Sequence, residues 1–529
     1  MSSKNMELLS CQVEVAAEKN PDFKILTFEY GDYPDEVVTY KDIFINGCKI
    51  ARVLKNNGIG KGDKFALLMG NQPEFVYAFW AASATGAVLV PIDPRSKGDK
   101  LIYQLENSNA KGIFVAANLM DEIETVMKKK EIKVLGVSYK DVFGAAVYDK
   151  YPNLNEILAE EESSPPDDRK MDANAPIELI YTSGTTGNPK GVAAKENRLS
   201  IYTLISKAIW QYTESDILYT GLSLTHGNAQ SVTLIPALAL GIPAVISHKF
   251  TKSRIWDICR KYGCTTFSLL GGMMMGIYSE PVKENDADNP VRKVLSAGTP
   301  SAIWSDFEER FNVKIHEWYG AVEGGFAHNP PGVGPIGSFG KPLDGLMEMK
   351  VVRDDDTECG PGEIGELICR MAQGNTEVEY YGNKKASEEK TRGGWLRTGD
   401  MCHRDSEGWF YFDFRAGGGL RRQGDFIQPG YVEKIIAQHP DISDVCVYGI
   451  PASSGAPGES DIVAAIVPFP GKTIDPKSIF EICLSGLERN AVPSYLQIVD
   501  EIPKTASEKN LERLLRDMFD PDAGNVYKI

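Results

Sequence analysis

The first part of the chain alternates between two hydrophobic patterns. In one, apolar residues recur every three to four positions, as over residues 40–57 (YKDIFINGCKIARVLKNN), which predicts an amphipathic helix. In the other, a short apolar run follows a glycine turn, as in FALL (65–68), which predicts a short strand. The helix-then-strand order recurs in PEFVYAFWAASATG with AVLVPI, KLIYQLENSNA with KGIFVAA, SRIWDICRKYG with CTTFSLL, and IWSDFEERFN with VKIHEWYG. Helices between short apolar strands predict βαβ units and a largely parallel sheet.

Beyond about residue 335 the pattern changes to short alternating strands, GLMEMKVV, GEIGELICR and GWFYFDF, which predict a small β-rich subdomain over about 335–415. The segment RAGGGLRRQGD (415–425) follows. Its three consecutive glycines permit a wide range of backbone angles, so we expect a hinge at 415–419, with a plain flexible linker as the alternative. We therefore predict an α/β fold with a large N-terminal body of βαβ layers, residues 1–415, and a small mobile α+β C-terminal domain, residues 416–529.

Composition narrows the function classes. The 529 residues, 42% of them hydrophobic, are enough for several domain-sized units. A formal net charge of −16, with no compensating basic block, argues against a nucleic-acid partner. The nine cysteines include no CxxC pair, so reduced thiols in a cytosol are expected and a zinc site is not indicated.

Membrane insertion is not expected either. The N-terminus lacks an apolar core of signal-peptide length. The long uncharged stretch 217–247 contains prolines, glycines and polar residues, and we interpret it as buried strand, loop and helix. We predict a cytoplasmic protein without a transmembrane segment.

One loop is unusually rich in hydrogen-bond donors. YTSGTTGNPKG (181–191) follows the apolar stretch IELI and combines hydroxyls, glycines and one lysine, a combination that suits an anion. A polar surface turn is the bland alternative. It is not a Walker A loop, because Asn188 and Pro189 separate Gly187 from Lys190. Since parallel sheets bind ligands at the carboxyl ends of their strands, this loop and WYGAVEGG (318–325) are the predicted ligand-binding segments.

Several segments together resemble the adenylate-forming superfamily of acyl-CoA ligases, peptide-synthetase adenylation domains and luciferases. They are YTSGTTGNPKG, LSAGTP (295–300), WYGAVEGG, GWLRTGD (394–400), Arg415 after a short strand, and PKTASEK (503–509). Their order and spacing fit that superfamily over essentially the whole chain. The pattern R-x-G-x-x-apolar-R-x-x-G from Arg415 is similar to fatty-acid transport proteins and carnitine-type CoA ligases.

The resemblance implies a nucleotide site. The residues that would hold the phosphates are Thr182, Ser183, Gly184, Thr185, Thr186, Gly187 and Lys190, and those at the adenine are Ala297, Gly298, Thr299, Tyr319 and Gly320. Tyr319 would stack on the base, Asp400 would accept hydrogen bonds from the ribose with Arg415 nearby, and Glu323 with Thr186 would bind Mg²⁺. Such groups suit attack of a carboxylate on the α-phosphate of ATP, because that reaction brings anions together.

The resemblance also implies catalytic and acyl-binding residues. The catalytic residues would be Lys509, Glu323 and His226, with Lys509 bridging the carboxylate and the α-phosphate. His226 would gate access between the carboxylate and the pantetheine tunnel, although a satisfied core histidine is the alternative. The acyl pocket would be lined by His226, Asn228, Gln230, Gly271, Met273 and Met274. Core packing explains the methionines equally well. By the same resemblance, residues 1–415 would bind ATP and the acyl group. Residues 416–529 would form a mobile lid domain with Gly417 as its pivot.

Three positions depart from the pattern. Val322 replaces the common threonine before the metal-binding glutamate, Glu508 replaces the glycine before Lys509, and Glu512 replaces an arginine. Acidic groups beside Lys509 could raise its pKa or misdirect it.

The resemblance predicts an AMP-forming ligase that activates a carboxylic acid with ATP and Mg²⁺ and transfers it to coenzyme A. The alternatives are a stand-alone adenylating enzyme that loads a carrier protein and a non-catalytic nucleotide-binding relative. Hydrophobic or fatty acids rank first, then carnitine-like and aryl acids, with little separation. The expected partners are the acid and coenzyme A, with a homodimer as a further possibility.

Overall fold

A computed structural model of the chain describes residues 8–144, 146–160, 164–166, 172–182, 189–373, 376–415, 420–422, 425–427, 429–453, 460–487, 489–505, 508 and 510–528. The phosphate-loop residues Ser183 to Gly187, the pivot Gly417 and Lys509 lie outside these residues.

The N-terminal body carries the alternating elements. Its strands are β1 Lys24–Glu29, β2 Glu36–Thr39, β3 Lys64–Leu68, β4 Val88–Ile92, β5 Ala110–Ala116, β6 Val134–Ser138, β7 Pro176–Thr182, β8 Lys190–Lys195, β9 Leu218–Thr220, β10 Ala244–Ser247, β11 Thr266–Leu270, β12 Lys293–Ala297, β13 Lys314–Ala321, β14 Gly324–Asn329 and β15 Lys341–Pro342. Its helices are α1 Leu9–Lys19, α2 Tyr40–Asn56, α3 Pro73–Thr85, α4 Gly98–Ser108, α5 Met120–Met127, α6 Leu154–Ala159, α7 Arg198–Ala208, α8 Ile235–Leu240, α9 Ile255–Tyr262, α10 Gly271–Tyr278 and α11 Trp304–Phe311, with a π-helix at Ala229–Leu234 and 3₁₀ turns at Ala117–Leu119 and Asp141–Phe143.

Local sequence signals account for these elements. Helix α2 begins with a capping box, in which Thr39 accepts from the backbone of Asp42 and the Asp42 carboxylate accepts from the backbone of Thr39. Helix α3 begins at Pro73 and ends at Gly86, whose φ of 71° favours glycine. The predicted helix over 40–57 is confirmed as α2.

The strands form two sheets. Their orders are β15-β14-β13-β12-β11-β9-β10-β1-β2 and β6-β5-β3-β4-β7-β8. Most neighbours are parallel, as predicted, while β2, β8, β14 and β15 pair antiparallel. The main hydrophobic core draws residues from both sheets, such as Phe65 and Phe267, and includes helix α3, which is buried from Pro73 to Ala84.

The remaining elements are smaller. Strands β16 Met347–Val352, β17 Gly365–Met371, β18 Leu396–Arg404 and β19 Phe410–Arg415 form an antiparallel sheet, with α12 Lys384–Lys390 and a 3₁₀ turn at Arg392–Gly394. A hairpin of β20 Leu420–Arg422 and β21 Asp425–Ile427 follows. The C-terminal part contains α13 Pro429–Ile436, β22 Ile442–Pro451, β23 Ser460–Pro468, α14 Pro476–Gly486, β24 Tyr495–Ile498, α15 Glu512–Asp517 and β25 Val526–Lys528.

The stretch 217–247 is divided among β9, the π-helix, α8 and β10, so it is not one long span. Among the described residues, no helix combines the length and the apolar content that crossing a bilayer requires.

The topology positions the candidate site. Strands β11, β12 and β13 are parallel neighbours, with Leu270 paired to Ala297, and β13 continues past the end of β12 to Ala321. Strand β7 of the other sheet ends at Thr182, directly before the donor-rich loop. The carboxyl ends of strands in both sheets therefore supply residues to one open region.

Candidate active site

That region is a cleft of about 1420 Å³. Residues from β7, β11, β12 and β13 line it, together with the π-helix, the segment 376–399 and Thr505 of the C-terminal part. The C-terminal part thus borders the same cleft as the strand ends.

The phosphate end of the cleft contains Thr182 and Lys190. The hydroxyl of Thr182 lies 3.5 Å from the carbonyl oxygen of Lys190, which joins the two strand ends that flank the loop. The Lys190 amine lies 5.0 Å from the centre of the Tyr380 ring. This exposed ammonium can meet an anion in the cleft.

Glu323 lies in the turn between β13 and β14 and lines the cleft. Tyr380 donates a hydrogen bond of 2.9 Å to its Oε1 atom, which fixes the carboxylate in place. No group of three or more metal-ligating side chains occurs in the described part of the chain. A single fixed carboxylate fits a Mg²⁺ that arrives with phosphate oxygens and water, because Mg²⁺ prefers few protein ligands.

The adenine segment is held from below by Glu317. Its buried carboxylate accepts from the backbone N–H groups of Gly298 (2.6 Å) and Thr299 (3.2 Å) and from the Thr299 hydroxyl (2.5 Å). Burial raises the pKa of Glu317 to about 7, although these donors lower it. Of the three predicted adenine contacts in this segment, Ala297 lines the cleft, and Gly320 lines it from β13.

At the predicted ribose site, Asp400 is linked to Tyr319 and to Arg415. Asp400 is buried, and its two oxygens are both engaged, by the Tyr319 hydroxyl at 2.6 Å and by the Arg415 guanidinium at 3.3 Å. The Tyr319 ring packs on Phe339 with centres 4.8 Å apart. Burial raises the pKa of Tyr319 well above its ordinary value, so its hydroxyl remains a donor. Arg415 lines the cleft.

Lys390 also lines the cleft and was not predicted. Its amine donates to the carbonyl oxygen of Thr398 at 3.1 Å. Burial lowers its pKa, while the nearby Glu323 raises it and Arg415 lowers it. Its sequence context, KKASEEKTR, is typical of a solvated charged helix, so no pattern in the sequence indicates this position.

His226 and Asn228 line the acyl end of the cleft. The backbone N–H of Asn228 donates to Nδ1 of His226 at 3.2 Å, so the proton of a neutral ring is on Nε2. Burial lowers the pKa of His226 to about 4. The ring is therefore neutral near pH 7 and presents an N–H donor, which agrees with a gating or orienting role more than with general-base catalysis.

The other four residues predicted for the acyl pocket do not line the main cleft. Gln230 is buried, and its Nε2 donates to Glu178 at 2.7 Å and to the Leu224 carbonyl at 2.8 Å. Met273 and Met274 are fully buried in the main core, the alternative that sequence left open. Gly271 is so close to Gly298 that an added side-chain carbon would lie 2.0 Å from its carbonyl oxygen. None of the four lines the main cleft.

The C-terminal motif approaches the same site. Thr505 lines the cleft, and Glu508 has a left-handed φ of 59° at the position where the superfamily has glycine. An added side-chain carbon on Gly272 would lie 3.3 Å from the Glu508 carbonyl oxygen, so this loop touches the start of α10. Burial raises the pKa of Glu508, and Lys504 opposes that shift.

The other two departures have clear surroundings. Glu512 begins α15, and its charge acts on Glu433 and Cys446 of the C-terminal part. Val322 lines the cleft, and an added carbon on Gly227 would lie 3.6 Å from its Cγ2 atom. The valine therefore packs against the turn that carries His226.

Comparison with known proteins places the chain in a family. The AMP-binding enzyme model matches residues 13–377, and the AMP-binding enzyme C-terminal domain model matches residues 431–509. The chain is 27% identical over 521 residues to long-chain fatty acid transport protein 6 of Mus musculus, covering 92% of this chain and 82% of the relative. It is 28% identical over 479 residues to crotonobetaine/carnitine–CoA ligase of Escherichia coli O7:K1, covering 88% and 91%.

Solved structures share the fold. An anthranilate CoA ligase in complex with anthranoyl-AMP aligns with a TM-score of 0.83 at 22% identity, covering 97% of each chain. O-succinylbenzoate CoA synthetase of Bacillus subtilis, in complex with ATP and a magnesium ion, aligns with a TM-score of 0.77 at 24% identity, covering 96% of this chain and 99% of the other. The predicted mixed α/β fold, with a large N-terminal body and a smaller C-terminal domain, is confirmed. The match to the AMP-binding enzyme model spans well over half of the chain. The chain therefore belongs to the family of AMP-binding enzymes.

Proposed function

We propose that this AMP-binding enzyme is an AMP-forming carboxylate–CoA ligase. It activates a carboxylic acid with Mg-ATP to give an acyl-adenylate and pyrophosphate, and then transfers the acyl group to coenzyme A with release of AMP. The observation that carries the proposal is one cleft lined at once by Lys190, Glu323 and His226. The relatives that are CoA ligases and the ligase structures of the same fold support this class of reaction.

The first step must overcome repulsion between the acid and the triphosphate. Lys190 and Thr182, with the donor-rich loop, would bind the phosphates, and Glu323, whose carboxylate accepts a hydrogen bond from Tyr380, would bind the magnesium ion. Magnesium, when bound, neutralises negative charge on the phosphate oxygens. Ala297, Gly298 and Thr299 position the adenine, and Asp400 with Arg415 positions the ribose.

The acid is oriented from the other side. The Nε2–H of His226 donates to an oxygen of the carboxylate. The imidazole ring stays neutral during the step, because its pKa is low. Lys509 supplies the cation between carboxylate and α-phosphate, a role supported by Thr505, four residues before it, which lines the cleft.

The second step needs a different arrangement of the C-terminal part. We propose the domain boundaries 1–415 and 416–529 with Gly417 as the pivot, so that rotation removes the Lys509 loop and admits coenzyme A. The strand β19 ends at Arg415, directly before this pivot, which supports the boundary.

Two alternatives predict different assay results. A carrier-protein-loading enzyme would use the same cleft for adenylation but would ignore coenzyme A. A non-catalytic relative is favoured by Val322 and by Glu508, whose side chain adds negative charge beside the position of Lys509. Against it, Lys190, Glu323 and His226 all line the cleft.

Release of AMP from Mg-ATP across a panel of carboxylic acids, with and without coenzyme A, tests the proposal. Release that requires both one acid and coenzyme A is the expected result. The variant Glu323→Gln, which keeps the shape of the side chain, should lower the rate about 10²-fold or more, since it removes the charge that binds the metal. Pyrophosphate exchange that coenzyme A does not affect would favour carrier loading. ATP binding without turnover by any acid would favour the non-catalytic relative.

We also propose a cytoplasmic location, which the CoA-ligase relatives support. The homodimer stays a prediction, which sedimentation of the purified protein would test.

A further inference from the structure

An unpartnered amide lies in the wall of the acyl end. Both side-chain atoms of Asn228, Oδ1 and Nδ2, are buried without a hydrogen-bond partner among the described residues, and the residue is only 4% exposed. Asn228 nevertheless lines the main cleft. Buried amide groups are nearly always paired, so an unpaired one that borders an open cleft indicates a partner that enters the cleft.

The backbone around Asn228 is firmly held. Its N–H donates to His226 on one side. On the other side it precedes the π-helix Ala229–Leu234, which Gln230 anchors to the buried carboxylate of Glu178 at 2.7 Å. A π-helical turn is uncommon and often occurs at functional sites. The amide is thus presented to the cleft on a fixed support.

A second unpartnered donor lies in the same cleft. The indole N–H of Trp318 is buried and has no partner in the described part of the chain. The Trp318 ring lies 5.9 Å from that of Trp210 and 6.3 Å from that of Phe326, and Trp210 lies 5.6 Å from Phe326. All three rings line the cleft. They form an aromatic wall along the cleft, with a polar atom set in it.

Arg198 adds positive charge at this end. It lines the main cleft, and it shares a small second cavity with Gly227 and Gln230, which places it beside the turn of Asn228. Its guanidinium donates to the Tyr202 hydroxyl. Among the described residues it forms no salt bridge within 4.0 Å, and its charge acts on the buried Glu178, whose pKa it lowers.

We infer that the preferred acid has a planar, aromatic body and carries an oxygen substituent that accepts hydrogen bonds, with the Asn228 amide, the Trp318 indole and Arg198 as its recognition groups. This inference rests on the proposed function and specifies its substrate class. The aromatic wall packs against the planar body. The donors form hydrogen bonds to the oxygen substituent and replace those that water made to it. A long unbranched alkyl chain would leave both polar side chains unpaired, so plain fatty acids rank below aryl acids here, contrary to the order expected from sequence.

Matched pairs of acids test the inference. We would measure kcat/KM for benzoate and 4-hydroxybenzoate, cinnamate and 4-hydroxycinnamate, and decanoate. The oxygenated member of at least one pair should exceed its plain partner and decanoate by tenfold or more. Equal or higher kcat/KM with decanoate would overturn the inference.

The variant Asn228→Leu separates recognition from general damage. It keeps the side-chain volume but removes the amide, so kcat/KM should fall at least tenfold more for the oxygenated acid than for its plain partner. Asn20→Leu, at an exposed position at the end of α1, is the control and should change neither value. A loss of the same size for both members of the pair would assign Asn228 a structural role and contradict the inference.

Binding without turnover keeps this test distinct from the test of the proposed function. Quenching of tryptophan fluorescence by each acid, compared between the native protein and Trp318→Phe, reports occupation of the aromatic end directly. Tighter binding of the oxygenated acid, weakened by Trp318→Phe, would support the inference even if no acid released AMP, a result that would defeat only the ligase proposal. Equal binding of both members of every pair would overturn the inference even in an active ligase.

Discussion

Lys390 places a partly buried amine at the nucleotide end of the cleft. Its amine is held by the Thr398 carbonyl and is surrounded by charges of both signs, from Glu323, Asp400 and Arg415. A buried ammonium without a full counter-charge is costly, and a phosphate oxygen would supply that counter-charge. We therefore expect nucleotide binding to favour the charged form of Lys390.

The variant Lys390→Met should raise the KM for ATP about tenfold or more, with a smaller effect on kcat. One charge-assisted hydrogen bond of roughly 1.5–3 kcal/mol accounts for this size. Because burial lowers the pKa of Lys390, the native enzyme should lose ATP affinity at a lower alkaline pH than an ordinary lysine would require, and the variant should not show this loss. Steady-state kinetics in ATP between pH 7 and 10 measure both effects.

Lys385→Met is the matched control, since Lys385 is exposed on the same helix and pairs only loosely with Glu389 at 3.8 Å. It should leave the KM for ATP unchanged. An unaltered KM and pH profile in Lys390→Met would show that the amine serves only to hold the Thr398 carbonyl.

The π-helix Ala229–Leu234 depends on a partner from the neighbouring sheet. Its Gln230 donates to Glu178 of β7, a carboxyl group that is 2% exposed. Burial raises the pKa of Glu178 to about 7, with Gln230 and Arg198 opposing the shift. The strand that leads to the phosphate loop and the helix that follows the acyl-pocket turn are thereby joined through one titratable group.

Glu178→Gln should change the pH dependence of stability. In the folded protein the pKa of Glu178 is about 7, whereas in the unfolded chain the carboxyl group loses its proton near its ordinary pKa of 4.5. Stability from this group is therefore full below about pH 4.5 and is lost as pH rises through 7. At pH 8 the free energy of unfolding of the variant should exceed that of the native protein by up to roughly 3 kcal/mol, so the variant should have the higher melting temperature. At pH 4.5 the two proteins should melt at the same temperature. Scanning calorimetry at both pH values measures this, with Glu18→Gln at an exposed position of α1 as the control.

Equal melting differences at pH 4.5 and pH 8 would contradict the titration of Glu178. AMP release should remain near the native rate, because a glutamine at 178 still offers an acceptor oxygen to Gln230.

Elements with strong periodicity could be predicted from sequence, and the site could be predicted only in part. Helix α2 and strand β13 followed from spacing and flanking signals, since local propensity and burial agree there. The division of the strands into two sheets did not follow, because hydrophobic patterns do not specify which strands pair. Lys390 was missed because its neighbours in sequence are solvated. The bond from Gln230 to Glu178 was not foreseen, because burial of a single polar side chain leaves no periodic signal.

The C-terminal part sits with its catalytic loop towards the cleft. Thr505 lines the cleft, the Glu508 carbonyl touches the start of α10 at Gly272, and the Lys252 amine lies 6.0 Å from the Phe469 ring. We propose that this arrangement serves adenylation and that thioester formation uses a second arrangement, which the C-terminal part reaches by rotation.

The pivot proposed at Gly417 can be tested by restricting its backbone. Gly417→Pro fixes φ near −65°, so it should lower the rate of thioester formation about tenfold or more while adenylation stays within about threefold. The complementary variant Lys509→Ala should lower adenylation about 10²-fold, since it removes one contact to the transition state. Pyrophosphate exchange measures adenylation, and single-turnover transfer from a preformed acyl-adenylate to coenzyme A measures the second step. Gly417→Ala, which restricts the backbone less, should give an intermediate loss in the second step only. Equal losses in both half-reactions for Gly417→Pro would place the pivot elsewhere, because a hinge acts on the change between the two arrangements and leaves the chemistry of each arrangement intact.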